Sequence, residues 1–390
     1  MTAEHDLVVV GAGPGGSSAA AAALRAGLTV AQVDAARFPR VKPCAGGMTP
    51  KATRALFCEL APSRCGEFRE FEFNAWTGTR TVFAFRSSLL AMVKRPAFDQ
   101  RLVAENARSS GFTFLDGEPV RSIEWTGTRF RVHTPARVLV ARQLVGADGA
   151  NGIVNRVFRV SRPRGRAVAV EVNLPRSEIS GDVPRPCFDF GAVECGYGWV
   201  FPKDGELSVG LYTLARGRKD LRARLAAYIA AKGLRVHGDP ARSMEAHTIP
   251  VGGHQLGAPS FPLYLVGDAA GLADALTGEG IYHALESGRL AGETAAAVAR
   301  GEATSADYLR ALEPRVLGDT RWSWRLAGLF YRRPAWSLFA LRASTLWRPM
   351  VHGTGSGATF RDCLRRAALF HLSSLASGSA QRSTASPTYS

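Results

Sequence analysis

The sequence predicts an α/β protein: a βαβ unit with a mixed sheet, a second domain built on an antiparallel sheet, and a C-terminal helical region. Three observations carry this. Asp6–Val10 is apolar, Gly11–Gly16 is a glycine-rich turn and Ser17–Arg25 is rich in alanine, so the chain opens as strand, turn and helix; Gly27 ends the helix and Leu28–Asp34 reads as a second strand. Ser161–Val251 is patterned as strands apart from one helix at Lys219–Lys232. Leu263–Val266 then returns as a buried strand ahead of a long helix over Gly280–Arg300.

Each element between these landmarks has a local reason. Arg37–Gly47 holds Pro39, Pro43, Gly46 and Gly47 and reads as a loop, after which Thr49 and Pro50 supply the cap and first-turn proline of a helix. Glu70–Met92 alternates as hairpin strands do, Pro96–Ser110 is a helix stopped by Gly111, and Phe112–Leu144 reads as several short strands. In the second domain Asp204-Gly205 joins Tyr197–Pro202 to Glu206–Thr213 in a hairpin. The expected division is a discontinuous nucleotide-type domain (1–68, 96–160 and 262–312), a sheet domain (69–95 and 161–261) and a helical region (313–372). A tail at 373–390, rich in Ser, Thr, Ala and Gly, is expected to be disordered.

The chain has 390 residues, room for two or three domains at about 150 residues each. Apolar residues make up 46%, which excludes wholly disordered and collagen-like classes. The net charge is +16, carried almost entirely by Arg, and favours an anionic partner. Six Cys show no C-x-x-C and no zinc-type spacing with His, which points to a reducing cytosol without structural zinc. Leu7–Leu24 is uncharged, but Glu4 and Asp6 precede it and glycines break it, so it is read as neither signal peptide nor membrane span. The protein is expected to be cytoplasmic, either soluble or peripheral on the inner face of the membrane.

Gly11-x-Gly13-x-x-Gly16 follows a strand and opens a helix, and Asp34 ends the next strand. Glycine lets the backbone reach a pyrophosphate at the helix N-terminus, and the carboxylate accepts from a ribose, so this is a dinucleotide fingerprint shared by NAD and FAD. Two later strand ends decide between them: Asp148-Gly149 closing Leu144–Ala150, and Gly267-Asp268 within Leu263–Ala270, with Gly278 and Gly280 opening the following helix. With these in order, the chain resembles the flavoprotein superfamily of p-hydroxybenzoate hydroxylase. Within it, Lys42-Pro43-Cys44-Ala45-Gly46-Gly47 is similar to the Cys-Gly-Gly loop of the geranylgeranyl reductase family. Tyr197-x-Trp199-x-Phe201-Pro202 is similar to that family's aromatic substrate motif, and Arg95 stands in a matching Arg-x-x-Phe-Asp-x-x-Leu. The resemblance spans roughly residues 6–300 and departs at Ala45, where Gly is usual, and at Glu194, where Pro is usual.

The resemblance implies a Rossmann-like FAD-binding domain. FAD contacts are expected at the fingerprint residues Gly11, Gly13, Gly15, Gly16 and Asp34, at Ala45, Gly46, Met48, Arg95, Val120 and Asp148, and at Asp268, Gly280 and Ile281. It also implies reduction of carbon–carbon double bonds in a prenylated lipid or prenyl diphosphate, with electrons from NADPH or a ferredoxin. Alternate strand residues share a face, so Tyr197, Trp199 and Phe201 can line one wall for such a chain, although aromatics at period two also fill ordinary sheet cores. Cys44 is expected to position substrate or deliver a proton, and Tyr197 and Trp199 to orient the chain. A flavin monooxygenase or halogenase acting on an aromatic substrate is the alternative on this fold. His283 reads as packing, and no Ser-His-Asp order or G-x-S-x-G elbow occurs.

The stretch from Arg321 to Arg348 interleaves Trp322, Trp324, Phe330, Tyr331, Trp336, Phe339 and Trp347 with Arg and holds no Lys, Asp or Glu. It fits a solvated helical face, a nucleic-acid patch or an interfacial membrane anchor. The anchor is preferred for an enzyme that handles lipid, and no nucleic acid is expected.

Overall fold

The computed structural model describes residues 3–343 apart from 77, 79, 85–87 and 254, together with 358, 362 and 363. Trp347, Arg348 and the 373–390 tail lie outside the described residues. The N-terminal strand Ala3–Val10 sits between Val30–Val33 and Val138–Gly146, all parallel, and Phe112–Leu115 extends the sheet beyond Val30–Val33. Val138–Gly146 is long enough to serve two further neighbours on its other edge. Its first half pairs antiparallel with Phe130–His133 and its end pairs parallel with Leu263–Leu265, which makes the sheet mixed. Leu7, Val8 and Val9 are fully buried, as befits a strand covered on both faces.

The helix Pro14–Arg25 packs along the long helix Ile281–Ala299, and Ser18 Oγ donates to the Leu285 carbonyl at 2.7 Å across that seam. The seam is close because it is built from small residues. A Cβ on Gly288 would lie 2.1 Å from the Gly15 carbonyl oxygen, and one on Gly292 would lie 2.3 Å from that of Ala19.

The second sheet has seven strands in the order 245–251, 165–175, 206–213, 196–203, 187–190, 70–75 and 80–84. Its pairings are antiparallel except between Cys187–Phe190 and Glu70–Ala75. The Asp204-Gly205 hairpin forms in the expected register, Tyr197 opposite Tyr212 and Trp199 opposite Gly210. One face carries Val170, Val172, Val209 and Leu211 and packs on the helix Leu221–Ala231; the other carries aromatic side chains. The stretch Glu70–Met92 does not form a single hairpin. Glu70–Ala75 pairs with Arg80–Ala84 in the large sheet, whereas Leu90–Val93 crosses to a three-stranded sheet with Gly47–Met48 and Arg64–Phe68.

Helical structure continues through Asp307–Leu312, a π-helical turn at Glu313–Leu317, Gly318–Phe330 and Pro334–Ala343. The widened turn falls at Pro314, which has no N–H to give to the helix ladder. Among the described residues no helix is long and apolar enough to cross a membrane, and no group of three or more His, Cys, Asp or Glu could hold a metal ion.

Candidate active site

A cavity of about 810 Å³ runs from the glycine turn, beneath the Lys42–Gly47 loop, to the aromatic face of the second sheet. At its first end Gly11 has φ +104°, and a Cβ there would stand 2.3 Å from the Ala147 carbonyl oxygen, so this turn requires glycine. Gly13 and Gly15 leave the N-terminus of Pro14–Arg25 bare toward the cavity. The Arg40 and Arg95 guanidinium groups stand beside it, 3.4 and 3.9 Å from where a Gly13 Cβ would be. Arg95 is buried and held by Asp99 through two hydrogen bonds of 2.9 and 2.7 Å, and Arg40 reaches the same carboxylate at 3.2 Å. Burial works against the Arg95 charge, but the Asp99 carboxylate outweighs it and raises its pKa. Asp34 accepts from the Ala12 amide at 2.8 Å and the Ala36 amide at 2.9 Å, so the turn itself aims this carboxylate along the cavity edge.

At the other strand ends, Asp148 accepts from the Val154 amide at 2.9 Å, and its Oδ1 is buried without a partner. Burial raises its pKa. Asp268 is held below the usual carboxylate range: burial alone would raise its pKa, but the His247 ring, 4.0 Å away, and the Lys42 and Arg95 cations prevail. His247 Nε2 lies 2.6 Å from Lys42 Nζ, whose own pKa is lowered by burial. These features could hold an elongated, doubly anionic dinucleotide: a bare helix end flanked by guanidinium groups, and carboxylates at successive strand ends, one with an orphaned oxygen.

The far wall is the aromatic face. Tyr197 and Trp199 are buried, and the rings of Tyr197, Phe188, Phe201 and Phe71 contact one another edge-on or stacked with centroids 5.1–5.7 Å apart. Trp199 Nε1 donates to Ser208 Oγ at 3.2 Å, and its indole lies over the bare Gly210, where a Cβ would fall 2.2 Å from Cζ2. The hydroxyls of Tyr197, Tyr212 and Tyr331 donate to the carbonyls of Thr277, Ala275 and Leu276 respectively. Three tyrosines therefore clamp the loop that leads into Ile281–Ala299. Burial raises the Tyr197 pKa far above its ordinary value, so the phenol stays neutral and offers the cavity its ring.

No protein-family model matches the chain. It is 32% identical over 317 residues to the menaquinone reductase of Mycobacterium tuberculosis, covering 74% of this chain and 76% of that protein. It is 30% identical over 315 residues to the geranylgeranyl diphosphate reductase of Rhodobacter capsulatus, covering 75% of each. The chain belongs to the geranylgeranyl reductase family of flavoproteins. A solved structure, a geranylgeranyl bacteriochlorophyll reductase-like protein of Thermoplasma acidophilum, superposes with a TM-score of 0.76 over 94% of this chain and 96% of that one. At 18% identity it shows the shared fold.

Within this geranylgeranyl reductase family member, every residue expected to touch nucleotide or substrate lines the one cavity, except Gly16 and Met48. Gly16 instead lets helix and strand meet, since a Cβ there would lie 2.0 Å from the Gly11 carbonyl oxygen. Met48 is fully buried in the core cluster that holds Phe98 and Leu102 and does not line the cavity. Cys44 is half-buried, its Sγ accepting from the Gly46 amide at 3.4 Å and its own amide donating to Glu171 Oε1 at 2.5 Å. Ala45, one departure from the family pattern, lines the cavity, and Glu194, the other, pairs with Arg218 away from it. His283 is fully buried, donating from Nδ1 to the Glu279 carbonyl at 3.1 Å, and does not line the cavity.

The motifs miss four groups in this cavity: Arg40, His247, the buried Lys51–Glu279 ion pair at 2.8 Å, and Glu171. Arg40 and Lys51 lie near a recognised motif, and Glu279 stands between the motif glycines Gly278 and Gly280. Glu171 stands in an unremarkable strand sequence, and its pKa is pushed up to about 7 by burial, with Lys203 opposing.

Proposed function

We propose that this protein saturates carbon–carbon double bonds of a polyprenyl chain, with reduced FAD as the hydride source. The observation that carries the reading is the continuity of one cavity from the nucleotide bed to an apolar aromatic wall that presents little but ring surface. Gly11, Gly13 and Gly15 receive the pyrophosphate with Arg95 and Arg40 beside it, Asp34 takes the adenosine ribose, and Asp148, Asp268, Gly280 and Ile281 hold the ribityl end, with Ala45, Gly46, Met48 and Val120 closing around the flavin. When bound and reduced, the flavin supplies two electrons and one hydrogen as hydride. Tyr197, Trp199 and Phe201 orient the chain, and the faces of Tyr197 and Trp199 stabilise positive charge that develops on the tertiary carbon as it is protonated. Cys44 positions groups at the junction of flavin loop and wall. Electrons reach the flavin from NADPH or a ferredoxin, and the substrate is a prenylated lipid or a prenyl diphosphate.

The test is an anaerobic incubation of dithionite-reduced holoprotein with geranylgeranyl diphosphate and with a geranylgeranyl lipid, read by mass spectrometry. Products heavier by multiples of about two mass units, with flavin reoxidised in step, are expected. No change without oxygen, but oxygen or halogen incorporation once air and a nicotinamide donor are admitted, overturns the reading in favour of a monooxygenase or halogenase.

The C-terminal helices support contact with an anionic bilayer. Leu329, Trp336 and Phe339 are 63–69% exposed, Arg325, Arg332 and Arg333 lie among them, and the same helices contribute Phe330 and Leu338 to the cavity wall. Apolar surface for the acyl boundary and Arg for head groups therefore surround a route into the site. The full chain is expected to co-sediment with vesicles of phosphatidylglycerol and phosphatidylcholine, with affinity falling about tenfold or more in the Trp336→Ser/Phe339→Ser variant. Equal sedimentation of both proteins excludes this surface as the anchor.

A further inference from the structure

We infer that Glu171 is the acid that protonates the double bond. The inference rests on the prenyl-reductase reading and adds to it the source of the proton. Six carboxylates line the cavity; four are committed to other protein groups, and a fifth, Asp148, stands at the nucleotide end, away from the aromatic sheet. Asp34 is held by turn amides, and Glu118 by Thr134 at 2.9 Å and Arg137 at 2.8 Å. Glu279 is paired with Lys51 and Thr49, Asp268 faces His247, and Asp148 is pressed against Gly152 at the end of the nucleotide sheet. Glu171 alone belongs to the aromatic sheet.

Its position there follows from strand register. Glu171 is paired with Gly210, and Gly210 with Trp199, so carboxyl, bare backbone and indole form one row across three strands on the cavity face. Because Gly210 has no side chain, the indole lies across the gap beside the Glu171 strand. The Cys44 amide fixes Oε1 at 2.5 Å, tying the carboxyl to the loop beside the proposed flavin site. Among the described residues Oε2 has no hydrogen-bond partner, and no cation lies within ion-pair distance of the group. The charged groups that act on it are Lys203 from the next hairpin strand, Arg95 from the helix below and Glu245 from the paired outer strand. Burial dominates them and leaves the carboxyl protonated up to about pH 7. An acid at that point on the pH scale is matched to proton transfer under physiological conditions.

The step balances. The π bond breaks and its electron pair takes the Glu171 proton at one carbon, while hydride from reduced flavin bonds the other. The chain gains two hydrogens, the flavin is oxidised, and Glu171 is left as a carboxylate that recovers a proton from water. Cys44 is then a positioning residue acting through its amide.

The experiment compares wild type with Glu171→Gln and Glu171→Asp. Glu171→Gln is expected to lose single-turnover prenyl reduction by about 100-fold or more, with FAD content and flavin reduction by dithionite unchanged, and Glu171→Asp to recover part of the loss. The wild-type single-turnover rate should fall above about pH 7, a limb absent from Glu171→Gln. A second readout needs no turnover. The folded carboxyl holds a proton that the unfolded chain releases near its ordinary pKa, so wild type loses stability as pH rises from there through about 7. Glu171→Gln should therefore show a higher urea midpoint than wild type at about pH 8 and no advantage at about pH 4. Wild type active and Glu171→Gln within about threefold of it overturns this assignment alone, as do urea midpoints that move in parallel with pH. Wild type that reduces no prenyl double bond overturns the reading of function and, with it, this role.

Discussion

Gly288→Ala is expected to cost the protein about 3 kcal/mol of stability and most of its affinity for FAD. The added methyl would sit 2.1 Å from the Gly15 carbonyl oxygen and 3.1 Å from the Ala19 amide nitrogen. Both are backbone atoms, which cannot rotate aside, so the two helices must part. Gly292 one turn on meets the Ala19 carbonyl in the same way, so sliding along the seam gives no relief. Both helices begin at the cavity, one behind Gly13 and Gly15 and the other behind Gly280 and Ile281, so opening the seam moves both ends of the nucleotide bed. Gly328→Ala is the matched control. That glycine is exposed, lies in the last turn of Gly318–Phe330, and has nothing within 4 Å of a new Cβ, so alanine there should be neutral or stabilising by up to about 0.5 kcal/mol. Thermal unfolding and flavin fluorescence measure both. A Gly288→Ala protein with the control's melting temperature and full flavin would show that the seam opens without cost.

Gly210→Ala is expected to reduce prenyl reduction by about 100-fold while leaving flavin bound. Its Cβ would lie 2.2 and 2.4 Å from the Trp199 ring and 2.7 Å from the Val170 carbonyl oxygen, so the indole must leave the wall. The site then loses its orienting surface next to Glu171, not its cofactor. The decisive comparison is a double-mutant cycle. In a Trp199→Ala background the ring clash is gone and only the 2.7 Å approach to the Val170 carbonyl oxygen remains, so adding Gly210→Ala should cost much less than it does in wild type. Additive losses in turnover would mean that Gly210 acts independently of Trp199, and full activity of Gly210→Ala would remove the indole from the site.

Much of this was legible in the chain because it is local. A strand, glycine turn, helix and Asp34 lie within the first 34 residues, and the Asp-Gly hairpin joins neighbours, so spacing alone predicts both. The motifs at Asp148 and Asp268 mark strand ends that parallel pairing brings to the same edge. Glu171 was not legible. In Val170-Glu171-Val172 it reads as a solvent-facing strand residue, and its partner Cys44 lies 127 residues earlier. Gly210, Gly288 and Gly292 were equally silent, because their value lies in what another segment places against them.

The sequence by itself determined the fold class, the nucleotide end of the site and the aromatic strand, since each depends on backbone geometry or alternation within a short run. Only the tertiary structure decided which sheet face the cavity takes, which glycines are seams, and which carboxyl is buried beside the aromatic wall with no cation paired to it. Those properties arise from contacts across distant segments: desolvation and the approach of backbones depend on what lies opposite a residue, and no local pattern records that.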